Sequence, residues 1–465
     1  MLLFISLNAY LMSEDKYWGL LIPVLVVILA TAIFRLDILL TFVAFITPLS
    51  ISLKELGIYN PIGVEMALPS EPLLFGLMII AWLKMFKNKE LFKGLYKHPI
   101  SILIGFYLFW MALTTVSSSM PLVSFKLFIT RLWFISSFYI LGYVWFQNKH
   151  NIHRFIKSYI LGLSLVIIYT IFHHASRGFE HEAAHWVMSP FFKDHTSYGM
   201  SLALVLPFSF YIQKWVPKGN GKFLFSLVLF LIILGVIMSY TRAAWLSILI
   251  AFCVYLVMKL RIKFFVLIGF AVFFSGFILL FQTDILMALE KNSNESSDSF
   301  KEHIASIYNV SSDASNLERI NRWKSAVRLF LEKPNLGWGS GTYQFNYSSY
   351  QNYHDKTIIS TNNGDKGNAH SEYLSVLCEM GWPGLLIFLI LIATILSKSI
   401  ILYHKLNDKQ EQFMLIACIL GLVTYFTHAF LNNFLDTDKA SVPIWAFVAI
   451  IVVLDLKYTE RKISS

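Results

Sequence analysis

The chain has 465 residues, of which 56% are hydrophobic and only 14% are charged. Soluble domains carry about 25% charged residues, so this composition excludes an ordinary soluble protein. The formal net charge is +10, but the basic residues sit in short connections between apolar runs, a pattern typical of membrane proteins that argues against a nucleic-acid partner. The three cysteines lie in or beside apolar segments without metal-ligand spacing, so no disulfide framework is predicted.

Apolar runs long enough to cross a bilayer as helices recur along most of the chain. They fall at 17–34, 36–52, 71–86, 100–116, 124–146, 155–173, 196–215, 223–239, 243–259, 264–281, 382–402, 413–430 and 441–456. Arg35 and Asp37 interrupt the first pair, so the sequence predicts about 12–14 spans. The predicted fold is all-α, a polytopic transmembrane helical bundle.

Lysine and arginine are concentrated in alternate connections, from the lysine-rich segment 84–97 to the tail 457–462. By the positive-inside rule, these connections and the C-terminus face the cytoplasm. The other connections then face outward, including the long polar segment 282–381. The sequence therefore predicts one large external loop containing short helices.

Three regions follow from this layout: an N-terminal transmembrane bundle (1–281), the large external loop (282–381), and C-terminal transmembrane helices with a short cytoplasmic tail (382–465). The loop is rich in Ser, Asn and Asp from Lys291 to Asn316, which predicts a mobile stretch. From Leu317 onward it shows helical periodicity and a glycine-rich turn, which predicts order.

Arginines on the external side are candidate anion ligands. Arg242 lies between two spans, and an arginine at a span edge needs a partner or a polar cavity. Arg319 and Arg322 are spaced to share one face of a helix. Guanidinium groups match phosphate oxygens in paired hydrogen bonds, although an interfacial or solvated role is the alternative for each of them. Arg131 lies inside the fifth predicted span with no partner evident from the sequence.

Histidines on the same side are candidate proton acceptors. His370 follows a glycine-containing turn and precedes an apolar span, and its neutral imidazole could take a proton from a hydroxyl. A structural histidine is the alternative. His195 lies at the mouth of a span, after four histidines whose spacing matches no standard metal site. Asp436 and Asp438 offer a second, weak metal alternative because such pairs often occur by chance.

Four motifs in this order resemble the O-antigen ligase and O-antigen polymerase superfamily. They are Lys193-Asp194-His195-Thr196-Ser197-Tyr198-Gly199; Thr241-Arg242-Ala243-Ala244-Trp245; Arg322-Trp323 with Ala326, Pro334, Gly337, Gly339 and Phe345; and Asn368-Ala369-His370-Ser371 with Tyr373, Leu374, Glu379, Gly381 and Gly384. Ser371 stands where the family often has Asn.

The resemblance implies a multi-pass enzyme of the bacterial inner (cytoplasmic) membrane whose active site lies on the periplasmic face. Its partners would be an undecaprenyl-diphosphate-linked glycan donor, a lipid or glycan acceptor, and membrane lipids. The implied reaction moves the glycan to an acceptor hydroxyl with inversion and without a metal or other cofactor. Ligase, O-antigen or exopolysaccharide polymerase and protein O-glycosyltransferase all remain open. From other classes, a polysaccharide-lipid flippase or transporter and a non-catalytic membrane scaffold are the alternatives.

The resemblance also suggests roles for single residues. The implied catalytic residues are His370, Arg242 and Arg322, and the implied substrate-binding residues are Arg319, His195, Asp194 and Tyr373. In this scheme arginines hold the diphosphate and His370 takes the proton. We therefore expect His370 and Arg242 to lie close together in the fold.

Overall fold

The computed structural model describes residues 2–58, 66–216, 219–262, 314–356, 360 and 367–464. Within these ranges the protein is almost entirely helical, and the described strands form one short antiparallel pair, β1 (Ile51–Ser52) with β2 (Ala67–Leu68). Ile51 pairs with Leu68 in this small sheet. The predicted all-α fold is confirmed.

The α-helices follow one another along the described ranges in an order that matches the predicted apolar segments. They are α1 (Leu2–Ser13), α2 (Ile22–Phe34), α3 (Leu36–Ile46), α4 (Ser70–Lys87), α5 (Lys93–Lys97), α6 (Pro99–Val116), α7 (Pro121–Phe134), α8 (Leu141–Trp145), α9 (Lys149–Ser176), α10 (His195–Trp215), α11 (Asn220–Met238), α12 (Arg242–Lys259), α13 (Ala314–Glu332), α14 (Tyr343–Asn346), α15 (Glu372–Lys405), α16 (Lys409–His428) and α17 (Asp438–Ser464). A π-helical segment, Ile135–Ile140, joins α7 to α8.

Eight helices in the described part of the chain are long and apolar enough to cross a membrane, counting α7 and α8 as one, so the chain is an integral membrane protein. This number is smaller than the predicted span count for three reasons. Helices α2 and α3 have only 13 and 11 residues, fewer than the ~20 that one crossing needs. Helices α4 and α10 carry more polar residues. The predicted span 264–281 and the predicted mobile stretch up to residue 313 lie outside the described residues.

Helix α17 forms the centre of the bundle, since its residues from Val442 to Leu454 are buried on all sides. A helix that is apolar all round must be covered all round, which explains this position. Glycines also allow close contacts between other helices of the bundle. A Cβ on Gly162 of α9 would lie 2.1 Å from the carbonyl oxygen of Phe45 in α3.

Two sets of contacts each join connections that the lysine pattern places on the same side. At one end Lys149 contacts Asp408 and Glu411, at 3.1 and 2.8 Å. At the other end the backbone N–H of Ser119 donates to the carbonyl of Trp338 at 3.0 Å. Which end faces the cytoplasm stays a prediction. We call the end that contains Ser119 and Trp338 the loop end.

Helix α15 begins at Glu372, earlier than the predicted start at residue 382. Residues 372–380 form a short helical segment before a kink, and the span predicted from residue 382 begins directly after it. The helix kinks at Gly381, where φ is +70°, and Pro383 follows the kink. The glycine-rich turn packs against this kink, and the N–H of Gly339 donates to the carbonyl of Glu379 at 2.8 Å.

Candidate active site

His370 lies just before α15, and its backbone has a left-handed conformation with φ of +49°. Few residues other than glycine adopt this region, and such strain persists only where the surroundings fix it. Two contacts do so here. The N–H of His370 donates to Asn368 Oδ1 at 3.1 Å, and the indole of Trp323 donates to the carbonyl of His370 at 3.2 Å.

Arg322 links helix α13 to this segment. Its side chain is buried, with 7% exposed, and its Nε donates to Glu318 Oε1 at 2.8 Å. Its Nη1 donates to the carbonyl of Asn368 at 3.1 Å, and its guanidinium lies 5.1 Å from the Tyr347 ring centre. The buried carboxylate of Glu318 therefore balances the charge of Arg322. Nε and Nη1 of Arg322 both donate hydrogen bonds to other protein groups.

The imidazole of His370 lies in a cationic environment. Burial, together with the charges of Arg322 and Arg319, lowers the pKa of His370 to about 4. Asn432 and Asp194 oppose this shift. The imidazole is thus neutral at ordinary pH, and its buried Nδ1 has no hydrogen-bond partner in the described structure. A neutral imidazole with an open lone pair can accept a proton.

Arg319 lies on the same helix as Arg322 and is half-buried. Its charge acts on His370, on His195 and on His428, so its guanidinium lies within electrostatic range of all three imidazoles. The two predicted arginines therefore differ in their contacts: Arg322 holds the protein chain, and the charge of Arg319 acts on all three histidines.

Asp194 and His195 begin helix α10 at the same end of the bundle. Asp194 caps the helix, since its Oδ1 accepts from the N–H of Ser197 at 2.8 Å and from the hydroxyl of Thr196 at 2.7 Å. Burial acts to raise the pKa of Asp194, but these hydrogen bonds and the neighbouring His195 hold it below its usual value. His195 Nδ1 lies 3.1 Å from His185 Nδ1, which places a second histidine beside it.

Arg242 begins helix α12 and is half-buried. The preceding Thr241 donates from its hydroxyl to the carbonyl of His195 at 2.8 Å. Arg242 is thus one residue from a direct contact with the His195 segment and lies at the loop end with His370. The expected closeness of Arg242 and His370 stays a prediction.

Tyr373 lies in the first turn of α15. Its hydroxyl donates to the carbonyl of Phe426 at 2.9 Å, and its ring centre is 4.4 Å from that of Phe430. These contacts join α15 to the end of α16. Substrate binding by Tyr373 stays a prediction, and the observed role of its hydroxyl is to hold two helices together.

Sequence reasoning missed two residues of this group, His428 and Asn432. His428 ends helix α16, is 1% exposed, and lies within electrostatic range of Arg319, Asp194 and His195. Its Nε2 is 3.1 Å from Asn432 Nδ2. The available signal was the spacing of four residues between His428, near the end of the predicted span 413–430, and Asn432 just beyond that span, but the apolar surroundings concealed it.

The acidic pair considered for a metal is engaged by protein groups. Asp436 accepts from Arg131 at 2.6 Å, and Asp438 accepts from the hydroxyls of Ser50 and Ser70. Within the described ranges, no group of three or more His, Cys, Asp or Glu side chains is arranged to hold a metal ion. Arg131 thus has the partner that the sequence did not reveal.

The sequence was also compared with models of known protein families. A family model described as "O-Antigen ligase" matches residues 227–389. The matched region is similar to the O-antigen ligase superfamily, and the match supports the predicted resemblance. It includes Arg242, Arg319, Arg322 and His370, while His428 lies beyond it. A search of curated proteins found no match to the chain.

The O-antigen ligase match fixes the class of activity at a coarse level. It supports a ligase-like or polymerase-like membrane glycosyltransferase that takes part in glycan biosynthesis. It also implies lipid-linked glycan substrates and contact with membrane lipids. The apolar helices agree with this class, because an enzyme that uses lipid-linked substrates must meet them in the bilayer.

Proposed function

We propose that this protein transfers a glycan from an undecaprenyl-diphosphate-linked donor to the hydroxyl of a lipid or glycan acceptor. The observation that carries the proposal is the setting of His370. Its strained backbone is clamped by Asn368 and Trp323, and burial with the charges of Arg322 and Arg319 keeps its imidazole neutral within the O-antigen ligase region. This combination supplies a proton acceptor beside an anion-binding group.

Arg319 and Arg242 bind the diphosphate of the donor in this proposal. When the bond between the anomeric carbon and the phosphate oxygen breaks, negative charge grows on the diphosphate. Guanidinium groups already held in place stabilise that charge better than reorganising water does. Each such contact contributes about 3–4 kcal/mol at the transition state.

His370 acts as the general base, through Nδ1. The acceptor hydroxyl gives its proton to Nδ1 while its oxygen forms a bond to the anomeric carbon. The bond from that carbon to the diphosphate oxygen breaks, and the electron pair leaves with undecaprenyl diphosphate. Attack from the face opposite the leaving group inverts the anomeric centre. General base catalysis of this kind contributes a factor of about 10² to 10⁴ in rate.

The remaining predicted residues support these groups. Arg322, predicted as catalytic, acts in this proposal by holding the Asn368–His370 segment to α13, as its contacts with Glu318 and Asn368 favour. Asp194 caps α10, and Asp194 and His195 orient the donor or the acceptor in this proposal. Tyr373 secures the start of α15 against α16.

The proposed location is the bacterial inner membrane, with the active site on the periplasmic face and the C-terminus in the cytoplasm. In this arrangement residues 1–281 form the N-terminal transmembrane bundle and residues 282–381 form the loop that carries the catalytic motif. Residues 382–465 form the C-terminal transmembrane helices and the cytoplasmic tail. The proposed reaction needs no metal, since arginines take the place of a divalent cation at the diphosphate. Asp436 and Asp438 are held by Arg131, Ser50 and Ser70, which favours a structural role for the acidic pair.

The test is a transfer assay with purified protein in proteoliposomes and an undecaprenyl-diphosphate-linked glycan. We expect covalent transfer that EDTA does not reduce. Arg319→Gln and Arg242→Gln should each lower the rate about 100-fold or more. Arg328→Gln is the matched control, because Arg328 lies on the same helix as Arg319 but pairs with Asp355. Movement of the intact donor across the bilayer without covalent transfer would contradict the proposal and favour a transporter.

A further inference from the structure

A cavity of about 370 Å³ lies between helices α3 and α9. This volume is within the range of about 300–1,000 Å³ that ligand pockets have. Arg154 lines the cavity and follows Lys149 by five residues on α9, about 8 Å along the helix. The cavity is therefore near the end of the bundle that contains Lys149 and is separate from the candidate active site at the loop end. Its lining includes the apolar side chains of Ile38, Phe42, Phe45 and Leu161 and the polar side chains of Arg154 and Ser158.

Two arginines share one carboxylate beside the cavity. Arg154 Nη1 donates to Asp37 Oδ2 at 3.0 Å, and Arg35 Nε donates to Asp37 Oδ1 at 3.3 Å. Two positive charges against one negative charge leave an excess of one positive charge, which attracts an anion. Asp37 is in the first turn of α3, where the helix dipole adds partial positive charge.

Arg154 retains hydrogen-bond donors for a ligand. Its side chain is 39% exposed, and among the described residues Nη1 is the nitrogen of Arg154 that has a hydrogen-bond partner. Its Nε and Nη2 can therefore donate to a further acceptor. A phosphate suits these donors, because guanidinium groups bind phosphate oxygens in paired hydrogen bonds.

The apolar part of the lining indicates that the ligand also carries hydrocarbon. Ile38 and Phe42 have 41% and 43% of their surface exposed in the part of the chain that the structure describes, so the cavity reaches the outer surface of the bundle. A soluble anion would leave this apolar lining in contact with water, whereas an acyl chain would cover it. A ligand with an anionic group at Arg154 and hydrocarbon along Ile38 and Phe42 is an amphiphile.

We propose that this cavity binds an anionic phospholipid. The lipid phosphate accepts hydrogen bonds from Arg154, and one acyl chain lies along Ile38, Phe42 and Leu161. Because the bound lipid contacts α3 and α9 together, it stabilises the packing of these two helices. The site goes beyond the proposed glycan transfer and does not depend on it.

The test compares two lipids that share their acyl chains and differ in the charge of the headgroup. Dioleoyl phosphatidylglycerol is anionic, whereas dioleoyl phosphatidylcholine is zwitterionic. Binding of each lipid to the full purified chain in neutral detergent is measured by mass spectrometry of the intact protein. We expect phosphatidylglycerol to bind about 10-fold more tightly or better, because hydrogen bonds to a charged group contribute at least this factor.

Three variants locate the binding site. Arg154→Gln should reduce the preference for phosphatidylglycerol to less than about threefold. Lys157→Gln is the matched control on the same helix, because Lys157 Nζ lies 5.5 Å from the ring centre of Phe225, and it should keep the wild-type preference. Ser158→Leu fills the cavity while both ion pairs of Asp37 remain, and it should weaken phosphatidylglycerol binding about 10-fold. Thermal unfolding of each variant establishes that it is folded.

Four results would overturn the proposed lipid site. Equal binding of the two lipids to the wild type would exclude recognition of the anionic headgroup. An unchanged preference in folded Arg154→Gln would exclude contact between Arg154 and the phosphate. Unchanged binding in folded Ser158→Leu would exclude the cavity as the binding site. Full competition by glycerol phosphate, which lacks acyl chains, would assign the site to a soluble anion.

Discussion

Arg322 donates a hydrogen bond from Nη1 to the carbonyl oxygen of Asn368 at 3.1 Å, two residues before His370. The same guanidinium packs so closely on Gly367 that a Cβ there would lie 1.8 Å from Nη1. Helix α13 thus sets the position of the His370 segment through one buried arginine. The approach of the guanidinium to the backbone requires glycine at 367.

Arg322→Lys should separate positioning from charge. Lysine keeps the positive charge but cannot contact Glu318 and Asn368 together, because it lacks the planar fork of donors. We expect glycan transfer to fall about 10- to 100-fold, with farnesyl diphosphate binding changed less than about threefold. Arg328→Lys on the outer part of α13 is the control and should transfer at close to the wild-type rate. Equal loss of transfer and of diphosphate binding in Arg322→Lys would indicate direct contact with the donor instead.

The pH dependence of kcat/KM should report the environment of His370. Burial and the two arginines lower its pKa to about 4, so the base stays neutral well below the usual histidine value near 6.5. We expect transfer to persist at pH 5 and to decline as pH falls toward 4. An acid limb at pH 6.5 or above that is absent from His370→Gln would contradict the described environment.

The lowered pKa of His370 should make the folded protein less stable at acid pH. The unfolded chain binds a proton at this histidine more readily than the folded chain does, so the folded state loses stability as pH falls from about 6.5 toward 4. His370→Gln should therefore be less sensitive than the wild type to acidification in this window. Thermal unfolding at pH 7 and pH 5 measures the difference.

The sequence predicts features that depend on the spacing of apolar and charged residues, but it does not predict which side chains contact each other in the fold. Apolar run lengths located most helices, and the side assigned to each connection from the lysine distribution stays a prediction. The buried pair of Glu318 and Arg322 was visible only as a spacing of four, and such pairs on a helix are more often solvated. The burial of Glu372 and Glu379, just before the kink at Gly381, could not be predicted because carboxylates are usually exposed. His428 read as part of an apolar helix, since no neighbour in the sequence indicates Arg319 or Asp194.

Arg131→Gln should destabilise the bundle. Arg131 is 4% exposed, donates to Asp436 at 2.6 Å and to the carbonyl of Leu435 at 2.9 Å, and approaches Glu372 at 4.0 Å. Removing one partner of a buried ion pair leaves an uncompensated charge and costs about 3–5 kcal/mol. Thermal unfolding in detergent measures this loss.

Lys93→Gln is the control for Arg131→Gln. Lys93 pairs with Glu90 at 3.4 Å where both side chains are largely exposed, and such pairs contribute less than about 1 kcal/mol. Similar thermal stability of the two variants would contradict the structural importance of the Arg131 contacts.

Gly337→Ala should disturb the turn that packs on the kink of α15. Gly337 has φ of +67°, and a Cβ there would lie 2.3 Å from the backbone carbon of Glu379. Backbone strain and overpacking should together cost about 2–4 kcal/mol and lower transfer. Gly76→Ala in α4 is the control, because nothing lies within 4 Å of its Cβ position, and it should be neutral or slightly stabilising. Normal stability of Gly337→Ala would show that the turn can move away from the kink.

The most direct test of the proposed chemistry is the rate of glycan transfer by purified protein from an undecaprenyl-diphosphate-linked donor, with release of undecaprenyl diphosphate followed in the same reaction. We predict stoichiometric release and transfer by the wild type, and a fall of about 10² to 10⁴ in rate for folded His370→Ala. Folded Arg242→Ala should fall about 100-fold or more. Full transfer by both variants would contradict the proposed site.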